Sequence, residues 1–184
     1  SIFYFGEWLK AYFFRGGKNI LDALNFSRDR HESILAQCER FDEKLKADCA
    51  QVGKDYYLLA CASLRQSVAA HKLVQNGKGE LLFLSKENNS NGCIGTVDVS
   101  YPSIPLYLLY NPELVNAMMR GIYEFAKMPV WNYDFAPHDL GTYPWCAGQV
   151  YGTAYRQDKY CCGMFSTGVS PRTNQMLYIR PAES

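Results

Sequence analysis

This sequence predicts a mainly helical fold in which the loops between helices carry the chemistry. Three observations lead there. Two segments, from about Arg28 to Ala50 and from about Asp55 to Gln75, place apolar residues at helical spacing. A third, from Asn111 to Lys127, has the plainest helix start in the chain, with Asn111 as N-cap, Pro112 at the first position and Glu113 at the positive helix end. The stretches between helices are nearly uncharged: Asp98 is the only charged residue from Asn88 to Tyr110, and Met128 to Tyr155 holds Asp134, His138 and Asp139 but no Lys, Arg or Glu. Ordinary surface loops are rich in Lys, Glu and Ser. These are rich in Gly, Pro, Tyr and Trp, as expected of partly buried walls around a small polar molecule.

At 184 residues and 48% apolar, the chain is long enough for one well-buried domain. With 19 basic against 18 acidic residues and no basic run, it has no electrostatic footprint for nucleic acid or an anionic membrane, and neither is expected as a partner. No apolar run approaches the roughly 18 residues of a membrane helix, and no signal-peptide pattern opens the chain. Seven cysteines make an odd count without the spacing of a disulfide framework. The pair Cys161-Cys162 lacks a second ligand pair, so no metal and no cofactor are expected.

In order along the chain, Ser1 to Phe26 is an aromatic lead-in expected to dock on the main body or on another part of the protein, with Tyr4, Phe5, Trp8, Tyr12, Phe13 and Phe14 close together and Gly16-Gly17 breaking it. The helix from Arg28 buries Ile34, Leu35, Cys38, Phe41, Leu45 and Cys49, and Gly53 ends it. The next carries Tyr57, Cys61, Leu64, Val68 and His71 on one stripe. Asn76-Gly77-Lys78-Gly79 is a turn and Glu80 to Ser85 a short extended run, which together make a short β-hairpin element. Ser103 to Tyr110 fits a buried helix or a strand equally well, since periodicity does not decide between them. The helix from Asn111 presents Leu114, Val115, Met118, Met119, Ile122 and Phe125 and stops near Lys127, ahead of Pro129; the rest is mostly loop.

Four ordered segments carry a family resemblance: Ser85 to Gly92, Gly95 to Ser103, Leu109-Tyr110-Asn111-Pro112-Glu113-Leu114, and Ala136-Pro137-His138-Asp139-Leu140-Gly141-Thr142-Tyr143-Pro144 with Gly148-Gln149-Val150-Tyr151-Gly152. They closely resemble the glutaminase A-type family of fungi and bacteria, and with Phe41-Asp42, Arg65-Gln66 and Ala70 to Leu73 the resemblance spans Phe41 to Gly152. It implies a partial (α/α)6 six-helical-hairpin toroid, with residues 1–27 as a lead-in from a preceding domain and 28–184 as the first part of the hairpin domain. It also implies a secreted or periplasmic protein that hydrolyses L-glutamine to glutamate and ammonia. Six hairpins need twelve helices, more than this chain holds. The acidic Pro-Val-Glu-Glu motif that usually follows in the family does not occur here, and the tail from Thr153 has no counterpart in that pattern.

Asp98 is the first candidate: among Thr96, Ser100, Tyr101 and prolines its carboxylate could orient a substrate ammonium or act as base toward water, or it could simply cap a turn. His138 and Asp139 come second, the imidazole suiting proton transfer near neutrality, with a loop-fixing pair as the alternative. Lys86 and Glu87 offer the two opposite charges that amino-acid recognition requires, or a surface ion pair. Arg65 could fork a substrate carboxylate if it faces inward. Trp131, Tyr133, Phe135, Tyr143, Trp145 and Tyr151 could form a stacking wall for a sugar, cover a small polar pocket or simply pack, and Tyr101, beside Asp98, is a further substrate-binding candidate. Thr96 or Ser100 as a covalent nucleophile is a minor alternative. The small polar substrate is then glutamine or, if the toroid serves a glycosidase-like enzyme, a sugar; a non-catalytic module is the third reading.

Overall fold

The structure, a computed structural model, describes residues 1–87, 92–131 and 133–150. It is mainly helical and divides into two units, one formed by Tyr12–Ala69 and the other by Ser1–Ala11 with the chain from Ala70 onward.

The Tyr12–Ala69 unit opens with a 3-10 turn at Tyr12–Gly17, followed by helices α1 (Ile20–Asp29), α2 (His31–Cys49) and α3 (Lys54–Ala69). Helix α1 begins inside the stretch expected to be an aromatic lead-in and runs past its end to Asp29, a helix the sequence reading did not include. Its start is chemically specified: Asn19 Oδ1 accepts from the Leu21 and Asp22 N–H groups, and Asp22 accepts from the Asn19 N–H at 2.7 Å, closing a capping box. Helix α2 starts three residues later than expected. In α3 the difference is larger, because the helix stops at Ala69 where the apolar spacing had carried it to Gln75. His71–Gln75 is instead strand β3, so His71 is not a helix-stripe residue.

The second unit explains that switch. Strand β3 pairs antiparallel with β4 (Leu81–Ser85) in register His71 with Ser85 and Gln75 with Leu81. Asn76 Oδ1 accepts from the N–H groups of Lys78 and Glu80, and Gly79 supplies the positive φ of +83° that the turn needs. Strand β4 carries four consecutive buried residues, Leu82 to Ser85, and helix α5 (Pro112–Ala126) packs on it. A hydrophobic strand already bound to a buried partner outweighs a helical period of apolar residues in the segment beside it.

Helix α4 (Val97–Tyr110) settles the open assignment at Ser103–Tyr110 and corrects another. Asp98 and Tyr101, expected in a loop, sit on the first turns of this helix despite Pro102 and Pro105. Helix α5 begins and ends where its sequence signals place it, burying Ala117, Met118, Gly121, Ile122, Phe125 and Ala126. The N-terminal residues do dock: β1 (Ile2–Tyr4) pairs antiparallel with β2 (Glu7–Leu9) and parallel with β5 (Trp145–Cys146). Ile2, Tyr4 and Leu9 thereby enter one core with Leu82, Leu84, Ile94, Ile122, Phe125, Trp131 and Leu140.

Candidate active site

Two irregular segments, Gly92–Thr96 and Ala136–Val150, are laced together by backbone bonds and hold the site. The Ile94 N–H donates to Gly141 O at 2.8 Å, Leu140 N–H to Ile94 O at 2.9 Å, Tyr143 N–H to Gly92 O at 2.9 Å, and Val97 N–H to His138 O at 2.9 Å. The Gly95 N–H donates to Ser85 O at 2.9 Å, which ties this pair to the end of β4. Buried backbone groups need such partners, so the lacing fixes where the intervening side chains point.

Those side chains include three of the sequence-selected residues. His138 Nδ1 lies 3.0 Å from Asp139 Oδ2, and His138 Nε2 lies 3.8 Å from Asp98 Oδ1. Neighbours in sequence, His138 and Asp139 do form a pair, and the start of α4 delivers Asp98 to the far side of the same ring. Asp139 is completely buried. Its Oδ1 accepts from the Gly141 and Val150 N–H groups at 2.9 and 3.0 Å, so both oxygens are committed. The His138 N–H in turn donates to the buried Gln149 Oε1 at 2.6 Å. In the sequence Gln149 belongs to the Gly148-Gln149-Val150-Tyr151-Gly152 motif, and nothing in its surroundings there marks a buried amide as the brace of the histidine.

Burial alone would lower the pKa of His138, but the hydrogen bond and charge of Asp139, with Asp98 and Glu87 beyond, outweigh it and raise the pKa above the ordinary 6.5. Burial pushes the Asp139 carboxyl upward, opposed by His138 and the two backbone donors. Nδ1 of the ring faces Asp139 and Nε2 is turned toward Asp98. The Asp98 side chain is 56% exposed, so it meets solvent and any solute directly. An anchored carboxylate, an oriented imidazole and an open carboxylate are groups of the kind that proton transfer requires.

Several alternatives lose their footing. Ser100 Oγ is buried against Ser85 Oγ at 3.2 Å. Thr96 Oγ1 is buried with no hydrogen-bond partner among the described residues, out of reach of a substrate carbonyl. Burial raises the pKa of the Cys93 and Cys146 thiols, helped by the charge of Asp139, so neither is poised as a thiolate. Among the described residues, no group of three His, Cys, Asp or Glu side chains is arranged to hold a metal ion.

The remaining residues are dispersed. Lys86 is exposed, its Nζ 4.8 Å from the centre of the Tyr143 ring, a cation–π contact at the edge of the Gly92–Tyr143 pairing. Glu87 follows it, its N–H donating to Cys93 O at 2.9 Å, and contributes to the field at His138. Tyr101 is exposed on α4. Arg65 belongs to the Tyr12–Ala69 unit, exposed on α3 beside an apolar cavity of about 780 Å³ between α2 and α3. The supposed aromatic wall separates into three groups. Trp131, Tyr133 and Phe135 cluster over Phe125; Trp145 packs on Phe3 and Trp8; Tyr143 faces Lys86. Tyr151, Cys161 and Cys162 lie outside the described residues.

Comparison with known proteins bears on the same residues. The glutaminase A six helical-hairpin domain matches residues 53–167, a span that holds Arg65, Lys86, Glu87, Asp98, His138 and Asp139 and runs beyond Gly152 into the tail that the motifs had left unmatched. Glutaminase A of Aspergillus oryzae is 32% identical over 143 residues, covering 77% of this chain and 21% of that protein. A protein of Arthroderma benhamiae named as a probable glutaminase is 30% identical over 161 residues, covering 86% of this chain and 18% of its own. The chain thus spans about a fifth of the length of these relatives. No solved structure matches it. With the domain matched over more than half of its residues, the chain belongs to the glutaminase A six-helical-hairpin family.

Proposed function

We propose that this chain supplies the proton-transfer wall of a glutaminase, the enzyme hydrolysing the side-chain amide of L-glutamine to glutamate and ammonia. The observation that carries the reading is the Asp139–His138–Asp98 series, in which a fully buried acceptor orients a histidine toward an exposed carboxylate. Asp98 takes a proton from water as the water oxygen bonds to the amide carbon. The imidazolium of His138 gives its Nε2 proton to the departing nitrogen as the carbon–nitrogen bond breaks, and the proton held by Asp98 then restores His138. An elevated histidine pKa suits this order, because the ring must be protonated when ammonia leaves. A paired-carboxylate mechanism on a sugar has less support, since Asp139 has both oxygens occupied. The resemblance to secreted members also supports an extracellular or periplasmic setting.

The test is a substrate screen with the full-length protein, measuring ammonia from glutamine beside reducing sugar from glycans. Ammonia release is expected. Sugar release without ammonia would overturn the reading.

A further inference from the structure

One methyl group connects the histidine pair to the hydrophobic core. Leu140, next after Asp139, is fully buried, and its backbone is held at both ends, N–H to Ile94 O at 2.9 Å and O from Gly148 N–H at 3.0 Å. Its Cδ1 fills the space beside two glycines on different elements. A Cβ on Gly95, ahead of α4, would lie 2.9 Å from that methyl; one on Gly121, inside α5, would lie 2.7 Å away. Gly95 has a second reason to be glycine, its φ of +63°. Gly121 has no such reason: it lies in a regular helix interior, where alanine is ordinarily the better residue. The absent side chain at 121 is accounted for by Leu140.

We propose that Leu140, seated between Gly95 and Gly121, is the positioning residue of the His138–Asp139 pair, so that the packing of α5 sets the geometry of the site. The methyl has little room to swing aside, because Leu84 Cδ2 and Tyr4 Cε2 stand 3.6 and 3.8 Å from the same Cβ position at Gly121 and the Leu140 side chain sits in one buried cluster with Leu84, Ile94 and Ile122. A displacement must pass to the backbone. There Asp139 has both carboxylate oxygens fixed, and His138 before it is fixed by Val97 and Gln149. Among the described residues, Asp139 beside it, Asp98 from α4 and Glu87 beyond β4 face His138 with negative charge, and a longer bond to Asp139 weakens the strongest of these.

The experiment titrates His138 by NMR in the full chain and in Gly121→Ala, Leu140→Val and the double variant. In Gly121→Ala the midpoint is expected to fall by about one unit, the scale of losing a close opposite charge. The double variant adds a carbon at 121 and removes one at 140; its midpoint should return toward wild type, with helix content by circular dichroism unchanged. A folded Gly121→Ala that titrates as wild type overturns the proposal, as does a double variant no closer to wild type than Gly121→Ala. Should Gly121→Ala fail to fold, Leu140→Val alone decides: a lowered midpoint supports the proposal and an unchanged one overturns it. The inference rests on reading this pair as the site. Because the midpoint is measured without substrate, its failure is distinct from an absence of ammonia release.

Discussion

Asp139 is the most firmly held residue of the proposed site, wholly buried, with the Gly141 and Val150 N–H groups on one oxygen and His138 Nδ1 on the other. Replacing it with asparagine turns an NH2 group toward donors it cannot satisfy, and Asp139→Asn is expected to destabilise the unit by about 1–3 kcal/mol, read by denaturant unfolding. The same change should bring the His138 midpoint down, since the main charge holding it up is gone. The sign of the pH dependence follows. A histidine whose pKa is raised on folding contributes stability fully below its ordinary 6.5, and that contribution disappears as pH rises through the higher folded value; the upward shift of Asp139 acts in the same direction. Unfolding midpoints measured from pH 5 upward should therefore decline across that window in wild type and decline less in His138→Gln.

At the scale of elements, the sequence foretold those whose local chemistry and burial agree and missed those where they compete. Helix α5 has Pro112 at its first position, Glu113 in the first turn and a single apolar face, and it forms as its sequence dictates. Truncating the centre of that face, Phe125→Ala, is expected to cost about 3–5 kcal/mol in denaturant unfolding, because Phe5, Trp131 and Ile122 cannot collapse into the space. Helix α3 was overrun in the sequence because the spacing of Val68 and His71 continues a helical stripe, whereas the partner that draws His71–Gln75 into a hairpin lies ten residues on. Helix α1 was missed although Asn19 and Asp22 announce it, because aromatic density and Gly16-Gly17 drew attention to a break. Its stability rests on the cap: Asn19→Ala should cost about 1 kcal/mol and speed amide exchange in the first turn of α1. Asp98 stands in a nearly uncharged segment rich in Gly, Pro and Tyr, the composition of a loop, and the packing of α4 on α5 supplies the countervailing term.

For the molecule as a whole, sequence motifs found the family but not the arrangement of the candidate residues. Asp98 and His138 stand forty residues apart, and their meeting depends on the exchange of bonds between Gly92–Thr96 and Ala136–Val150, which no periodicity encodes. Burial sorted the rest: the same uncharged aromatic composition yielded core packing at Trp131, an N-terminal strand clamp at Trp145 and an exposed ring at Tyr101. The central claim is that His138, oriented by Asp139, transfers protons in glutamine hydrolysis, and the most direct measurement is ammonia release from glutamine by the full-length protein and its folded His138→Gln variant. The account predicts a fall in kcat of about 10²–10⁴-fold, the usual contribution of a positioned acid–base group, with the fold intact by circular dichroism. A His138→Gln protein that releases ammonia at the wild-type rate would contradict it.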